Sequence, residues 1–227
     1  CCLEPHGGVL QWQGEQVTFH ASTQAVSQTG SGLAQNLKVP AANIRVLQDH
    51  VGGGFGSKFS SERWDAVAAM LSQKAGGRPV KSFIDRATDL TIAGVRPSAF
   101  ARIKLGAKKD GTIIAWQSES WATGGFTGGG MPPIPYVYTN IPNRRQNHTA
   151  VSVNAGGQRA WRAPNNQQAS YLTCSAIEDL AAALKMDPME VFAKNADYTP
   201  RPEVYRAQLA KAAELSEWKK LWHPRGD

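Results

Sequence analysis

The sequence predicts an α+β fold of mixed sheets with packed helices, and three features carry that expectation. Short segments of alternating apolar and polar residues, such as 15–22, read as strands. Longer stretches, above all 166–185, space Ile177, Leu180, Ala181 and Leu184 for one buried helical face. The two kinds of element intermingle along the chain, and no internal repeat is visible.

In order, a strand over 15–22 is followed by a helix capped by Ser22 or Thr23 and closed near Lys38-Val39-Pro40. A strand over 43–48 runs into Val51-Gly52-Gly53-Gly54-Phe55-Gly56, and Ser60-Ser61-Glu62 opens a helix to about Ala75. Strand, glycine loop and helix begin a β–α–β unit, with a further strand over 79–85. Segments 99–106 and 112–121 form a hairpin turning at Lys109-Asp110-Gly111. Residues 124–135 are mostly Gly, Pro and small side chains and read as a loop, followed by a strand near 149–154. Three helices complete the chain: 166–185, one opened by Asp187-Pro188, and one over 203–222.

With 227 residues, 41% of them hydrophobic, the chain can bury a substantial core. Its net charge of +7 would suit an anionic partner, yet the basic residues are dispersed and form no aromatic-and-basic nucleic-acid module. No apolar run approaches a membrane span, and no signal peptide is expected. The three cysteines are odd in number, and the vicinal Cys1 and Cys2 make no useful disulfide framework. A reducing, cytoplasmic compartment is expected, or the periplasm for an exported complex, with Cys174 as core. The chain has no initiator Met, and Leu3-Glu4-Pro5-His6 reads like the middle of a longer polypeptide.

The glycine run is the most informative local feature, because glycines let backbone N–H groups approach a ligand. It would serve equally as a tight turn. Ser57 stands where a dinucleotide fingerprint needs its last glycine, and the acidic partner about twenty residues on is missing. Gly56-Ser57-Lys58-Phe59 has the wrong order for a phosphate P-loop. A loop lying against a large anionic cofactor, with Phe55 as a wedge, stays open. His6, His20, His50, His148 and His223 lack ligand spacing and read as surface or satisfied core histidines. Glu178 and Asp179 belong on a solvated helix face. Arg159 and Arg162 are either surface ion pairs or guanidinium groups for a phosphate or oxo ligand.

Taken in order, these segments resemble the molybdenum-binding subunits of the xanthine dehydrogenase/aldehyde oxidoreductase family. The likeness is carried by Leu3-Glu4-Pro5-His6-Gly7, Ala21-Ser22-Thr23-Gln24, Gly52-Gly53-Gly54-Phe55-Gly56-Ser57-Lys58, Arg86 with Asp89, Gly94-Val95-Arg96-Pro97, the stretch from Gln158 to Pro164, and Met186-Asp187-Pro188 with Lys194-Asn195. It covers nearly the whole chain. The resemblance implies a molybdenum-cofactor-binding domain of the molybdenum hydroxylase type, with 1–227 forming part of the first of two such domains and 166–222 its helical end. It implies an oxidoreductase that hydroxylates an aldehyde or N-heterocycle with water-derived oxygen. The cofactor implied is molybdopterin, as its cytosine dinucleotide, with molybdenum, and iron–sulfur clusters and FAD lie in partner chains. Gly53, Gly54, Phe55, Gly56, Arg162 and Ala163 would contact the cofactor, with Phe55 and Arg162 near the metal but no direct metal ligand. Phe59 and Pro164 would line the substrate pocket.

Departures from the family pattern narrow the substrate. Purine-oxidising members carry Glu where this chain has Phe59, Arg in the stretch reading Gly128-Gly129-Gly130, and an aromatic at Pro164. The family's catalytic Glu is expected outside this chain, as are most of the pterin-gripping segments. The alternative is a non-catalytic binding or assembly domain that keeps the scaffold.

Overall fold

A computed structural model describes residues 2–224, so Cys1 and the tail beyond Pro224 lie outside the described residues. The chain divides into two compact units, the first built from residues 1–96 and 154–164, the second from 97–153 and 165–227.

In the first unit, β1 (Gly7–Gln13) and β2 (Gln16–Ala21) form an antiparallel hairpin. Helix α1 (Val26–Leu37) leads to β3 (Ile44–Leu47), which lies parallel to β2. Helix α2 (Arg63–Lys74) leads to β4 (Val80–Phe83), antiparallel to β1, and a short helix α3 (Arg86–Ile92) follows. The sheet order is therefore β3-β2-β1-β4. Leu10, Val17, Phe19, Leu33, Ala68 and Ala69 form its buried core, which welds α1 and α2 to the sheet.

Three expectations change here. β1 and α3 escaped the sequence reading: β1 opens with two glycines, poor strand formers, and α3 has seven residues. The β–α–β reading needs a different partner, because β3 and β4 are opposite edges of the sheet. Helix α1 is capped at Ala25 rather than at Ser22 or Thr23. Ser22 is drawn away to donate to Glu4, and the Thr23 hydroxyl accepts from the Ala25 amide while donating to the Lys58 carbonyl.

In the second unit, β5 (Ser98–Ala107) and β6 (Ile113–Thr123) form the expected hairpin, with a turn closed from Gly111 N–H to Lys108 O. β7 (Asn143–Val151) lies parallel to β6 and begins well before the anticipated position near 149. Eight of its nine residues are exposed, so no alternation marks it in sequence. Helix α4 (Asn166–Leu184) packs on β5, burying Ala169, Ile177 and Ala181, with Glu178 and Asp179 in solvent. The stretch 124–135 is irregular as expected but not superficial: Met131 and Ile134 are core residues beside Trp116, Tyr138 and Ile141. Helix α5 (Pro188–Lys194) has Asp187 as its cap, the carboxylate accepting from Met189 N–H. The helix expected over 203–222 is broken into α6 (Pro202–Leu215) and α7 (Trp218–Leu221), with Glu217 between them at φ +51°. Cys174 is only half-buried on α4. Among the described residues no helix is long and apolar enough to cross a membrane.

Candidate functional site

The first unit brings together two segments about a hundred residues apart in sequence, the glycine loop and the stretch 157–163. The contact is direct. Arg162 N–H donates to Phe55 O at 2.7 Å, and a side-chain carbon on Gly56 would stand 2.7 Å from Ala160 O. Gly56 holds φ +99°, a conformation glycine adopts at little cost. Phe55 sits at φ +50° and Ala163 at +51°, so both segments contain non-glycine residues in the left-handed region.

Side chains beneath the loop set its shape. Gln24 Oε1 accepts from the amides of Gly56 at 2.8 Å and Lys58 at 3.4 Å. Glu4 Oε2 accepts from Gly52 N–H at 2.8 Å and from the Ser22 hydroxyl at 2.7 Å. Lys58, 2% exposed, donates to Glu4 O at 2.9 Å, to Glu4 Oε2 at 3.2 Å and to the Ser22 hydroxyl. Burial works against ionisation of Glu4, but Ser22, the Gly52 amide and Lys58 outweigh it and hold its carboxyl below the usual range. Ser57 N–H and its hydroxyl both donate to Gly54 O, which also takes the Cys2 thiol.

Three consecutive amides of the loop, those of Gly53, Gly54 and Phe55, donate to no group among the described residues. Gly54 is nonetheless buried. Buried backbone donors are nearly always paired, so adjacent unmatched N–H groups suit an anionic or oxo-bearing ligand. The side chain of Phe55 is 54% exposed, and Arg162, Ala163 and Pro164 are exposed with it. Phe59, 46% exposed, follows the buried Lys58.

The two arginines separate in role. Arg159 is mostly buried, forms an ion pair with Glu62, and donates to Ala93 O at 3.0 Å. Burial lowers its pKa below the ordinary value. It is a structural strut that joins the second loop to α2 and to the turn after α3. Arg162 stays at the surface beside Phe55. Arg96 supports it from behind by donating to the carbonyls of Arg162 at 3.2 Å and Ala163 at 3.5 Å.

Sequence reasoning gave no individual role to Glu4, Gln24, Lys58 and Asp89. His6 is a satisfied core histidine: Nδ1 meets Asp89 Oδ1 at 2.6 Å and Nε2 meets Ser57 O at 3.1 Å. The remaining histidines do not join it, and His148 bonds the Ser120 hydroxyl in the second unit. Gly128, Gly129 and Gly130 also belong to the second unit. Among the described residues no cluster of His, Cys, Asp and Glu has the makings of a metal site.

Residues 1–196 match the molybdopterin cofactor-binding domain family. The aldehyde oxidoreductase molybdenum-binding subunit PaoC of Escherichia coli strain K12 is 31% identical over 192 residues, covering 83% of this chain and 26% of that protein. An indole-3-acetaldehyde oxidase of Zea mays is 30% identical over 203 residues, covering 87% and 15%. Among solved structures, quinoline 2-oxidoreductase from Pseudomonas putida 86 superposes with TM-score 0.82 at 21% identity, over 97% of this chain and 31% of that one. The aldehyde oxidoreductase from Desulfovibrio gigas gives 0.73 at 22% identity, over 98% and 27%. These two likenesses concern the fold. The chain spans about a quarter of the length of the Escherichia coli relative. By the extent of the family match, this chain belongs to the molybdopterin cofactor-binding domain family.

Proposed function

We propose that this chain is a cofactor-binding part of a molybdenum hydroxylase, and that its glycine loop and Arg162 hold the anionic, oxo-bearing portion of a molybdenum–pterin group. The observation that carries this reading is the run of unmatched amides at Gly53, Gly54 and Phe55 directly beside Arg162, in a chain of this family. The residues fit the group: N–H donors fixed from behind by Gln24 and Glu4, joined by a guanidinium, form a preorganised anion-binding surface. When bound, the group supplies oxidative hydroxylation of an electron-poor carbon with oxygen from water.

The chain's own residues position and enclose. Gly53, Gly54, Phe55 and Gly56 set the distance of closest approach, Arg162 neutralises charge, and Ala163 lets the backbone pass close. Phe59 and Pro164 present apolar surface to substrate. They offer no polar grip for a purine, and an aldehyde or N-heterocycle is the substrate class we infer. The printed names of the relatives, an aldehyde oxidoreductase and an aldehyde oxidase, favour the same class. The cofactor form proposed is the cytosine dinucleotide. The proton-abstracting Glu is assigned to another segment of the assembly, the iron–sulfur clusters and FAD to partner chains, and the compartment to the cytoplasm. We take both units as parts of one cofactor-binding domain.

Molybdenum content per chain, read by elemental mass spectrometry on protein gently purified from its host, tests this. About one molybdenum per chain together with co-purifying partner chains is the expected result. Absence of both metal and partners would sink the proposal and favour a non-catalytic binding or assembly domain.

A further inference from the structure

The segment preceding β1 makes polar contacts with the glycine loop at both of its ends. At the entry, Glu4 and Gly52 exchange hydrogen bonds, Gly52 N–H to Glu4 Oε2 at 2.8 Å and Glu4 N–H to Gly52 O at 3.4 Å. At the exit, His6 Nε2 meets Ser57 O at 3.1 Å and Lys58 Nζ donates to Glu4 O at 2.9 Å. Behind His6, Asp89 takes Nδ1 on one oxygen and Arg86 at 2.7 Å on the other, while Arg86 also donates to Leu3 O at 2.6 Å. Both His6 nitrogens thus lie within hydrogen-bond distance of an oxygen, one of Asp89 and one of Ser57. Ser57, Lys58, His6 and Asp89 are all less than 5% exposed. Burying this much charge costs folding free energy that an apolar packing would not. Such networks are justified when they hold one geometry against close competitors.

We propose that Glu4 and His6 are positioning residues that clamp the two ends of the glycine loop and thereby fix the unmatched Gly53–Phe55 amides for the cofactor. This rests on the cofactor reading above for the identity of the ligand, but not for the clamp itself. Glu4 acts through Gly52 and Lys58, and His6 acts through Ser57. Neither is assigned a contact with substrate or cofactor. The carboxylate matters at Glu4 because it answers Lys58, which would otherwise be a buried charge without a counter-ion. The imidazole matters at His6 because only a rigid group with two opposed nitrogens spans from Asp89 to Ser57.

The test uses Glu4→Gln and His6→Gln in the assembled protein purified from its host, with Glu203→Gln on exposed α6 as a control. Hydrogen–deuterium exchange is followed by mass spectrometry, alongside molybdenum retained per chain after purification. Amide exchange over 51–58 should rise by about tenfold in both variants, while β1 and β2 amides keep wild-type protection. Molybdenum retention should fall below half, and the control should match wild type in both readouts. Wild-type exchange over 51–58 in both variants overturns the clamp. So does a loosened loop that keeps its full metal, since the clamp would then have no bearing on the ligand. Loss of protection throughout the first unit assigns the pair to general folding and also overturns it. If wild type itself carries no molybdenum, the cofactor reading fails, while the exchange data still decide whether Glu4 and His6 hold the loop.

Discussion

Gly56 has little choice of side chain. At φ +99° and with Ala160 O at 2.7 Å from any added carbon, alanine must push the backbone of the second loop away. Gly56→Ala should cost about 1–3 kcal/mol from strain at that conformation. Thermal unfolding measures it, with an expected Tm drop of several degrees, and an unchanged Tm would show that the two loops are not tightly apposed. Arg162 has the opposite character and is exposed beside Phe55. Arg162→Ala should lower molybdenum content or turnover of the assembled enzyme several-fold. Unchanged metal and turnover together remove Arg162 from the site. Residue type and spacing did not separate Arg159 from Arg162, three residues apart; only the family resemblance singled out Arg162. Burial against Glu62 and Ala93 is what made one a strut and left the other at the surface.

At the scale of elements, buried polar groups on helix ends decide how strands and helices join. Asn195, 1% exposed, accepts from Ile113 N–H and donates to the carbonyls of Gly111 and Val191, tying α5 to the β5–β6 hairpin. Asn195→Ala leaves those groups unpaired and should destabilise the chain by about 2–4 kcal/mol, read from denaturant unfolding. A loss below about 0.5 kcal/mol, within the range of an ordinary surface substitution, would mean that water replaces the side chain. Asp65, in the first turn of α2, accepts from the Glu62 amide. Burial raises its pKa from 3.8 to about 7, with a hydrogen bond from Ser61 working against the rise. The folded state therefore binds this proton more tightly than the unfolded state does. The resulting stability is fully present below about pH 4 and is lost as the pH rises to about 7. Asp65→Asn keeps an acceptor for Glu62 and should flatten the decline of Tm between pH 4 and 7. An identical slope in variant and wild type rules Asp65 out as its source. The hairpin and α4 were legible beforehand because turn chemistry and helical spacing are local. β7 was misplaced by several residues because a strand exposed on both faces carries no period-two signal.

For the whole molecule, the apolar Phe59 and Pro164 set an expectation about substrates. The assembled enzyme should turn over aldehydes or N-heterocycles and should not convert xanthine efficiently, as a urate absorbance assay will show. Rapid urate formation would overturn this reading of Phe59. By itself the sequence determined the α+β class, most element positions and the family, since motif order and hydrophobic period are properties of neighbouring residues. It also marked the glycine run as the place where backbone could meet a ligand. Only the tertiary structure decided that this run meets residues 157–163, that Glu4, Gln24 and His6 hold it from behind, and that three adjacent amides find no partner among the described residues. Those facts depend on contacts between residues up to about a hundred positions apart, and no local pattern encodes which buried donor will find its acceptor.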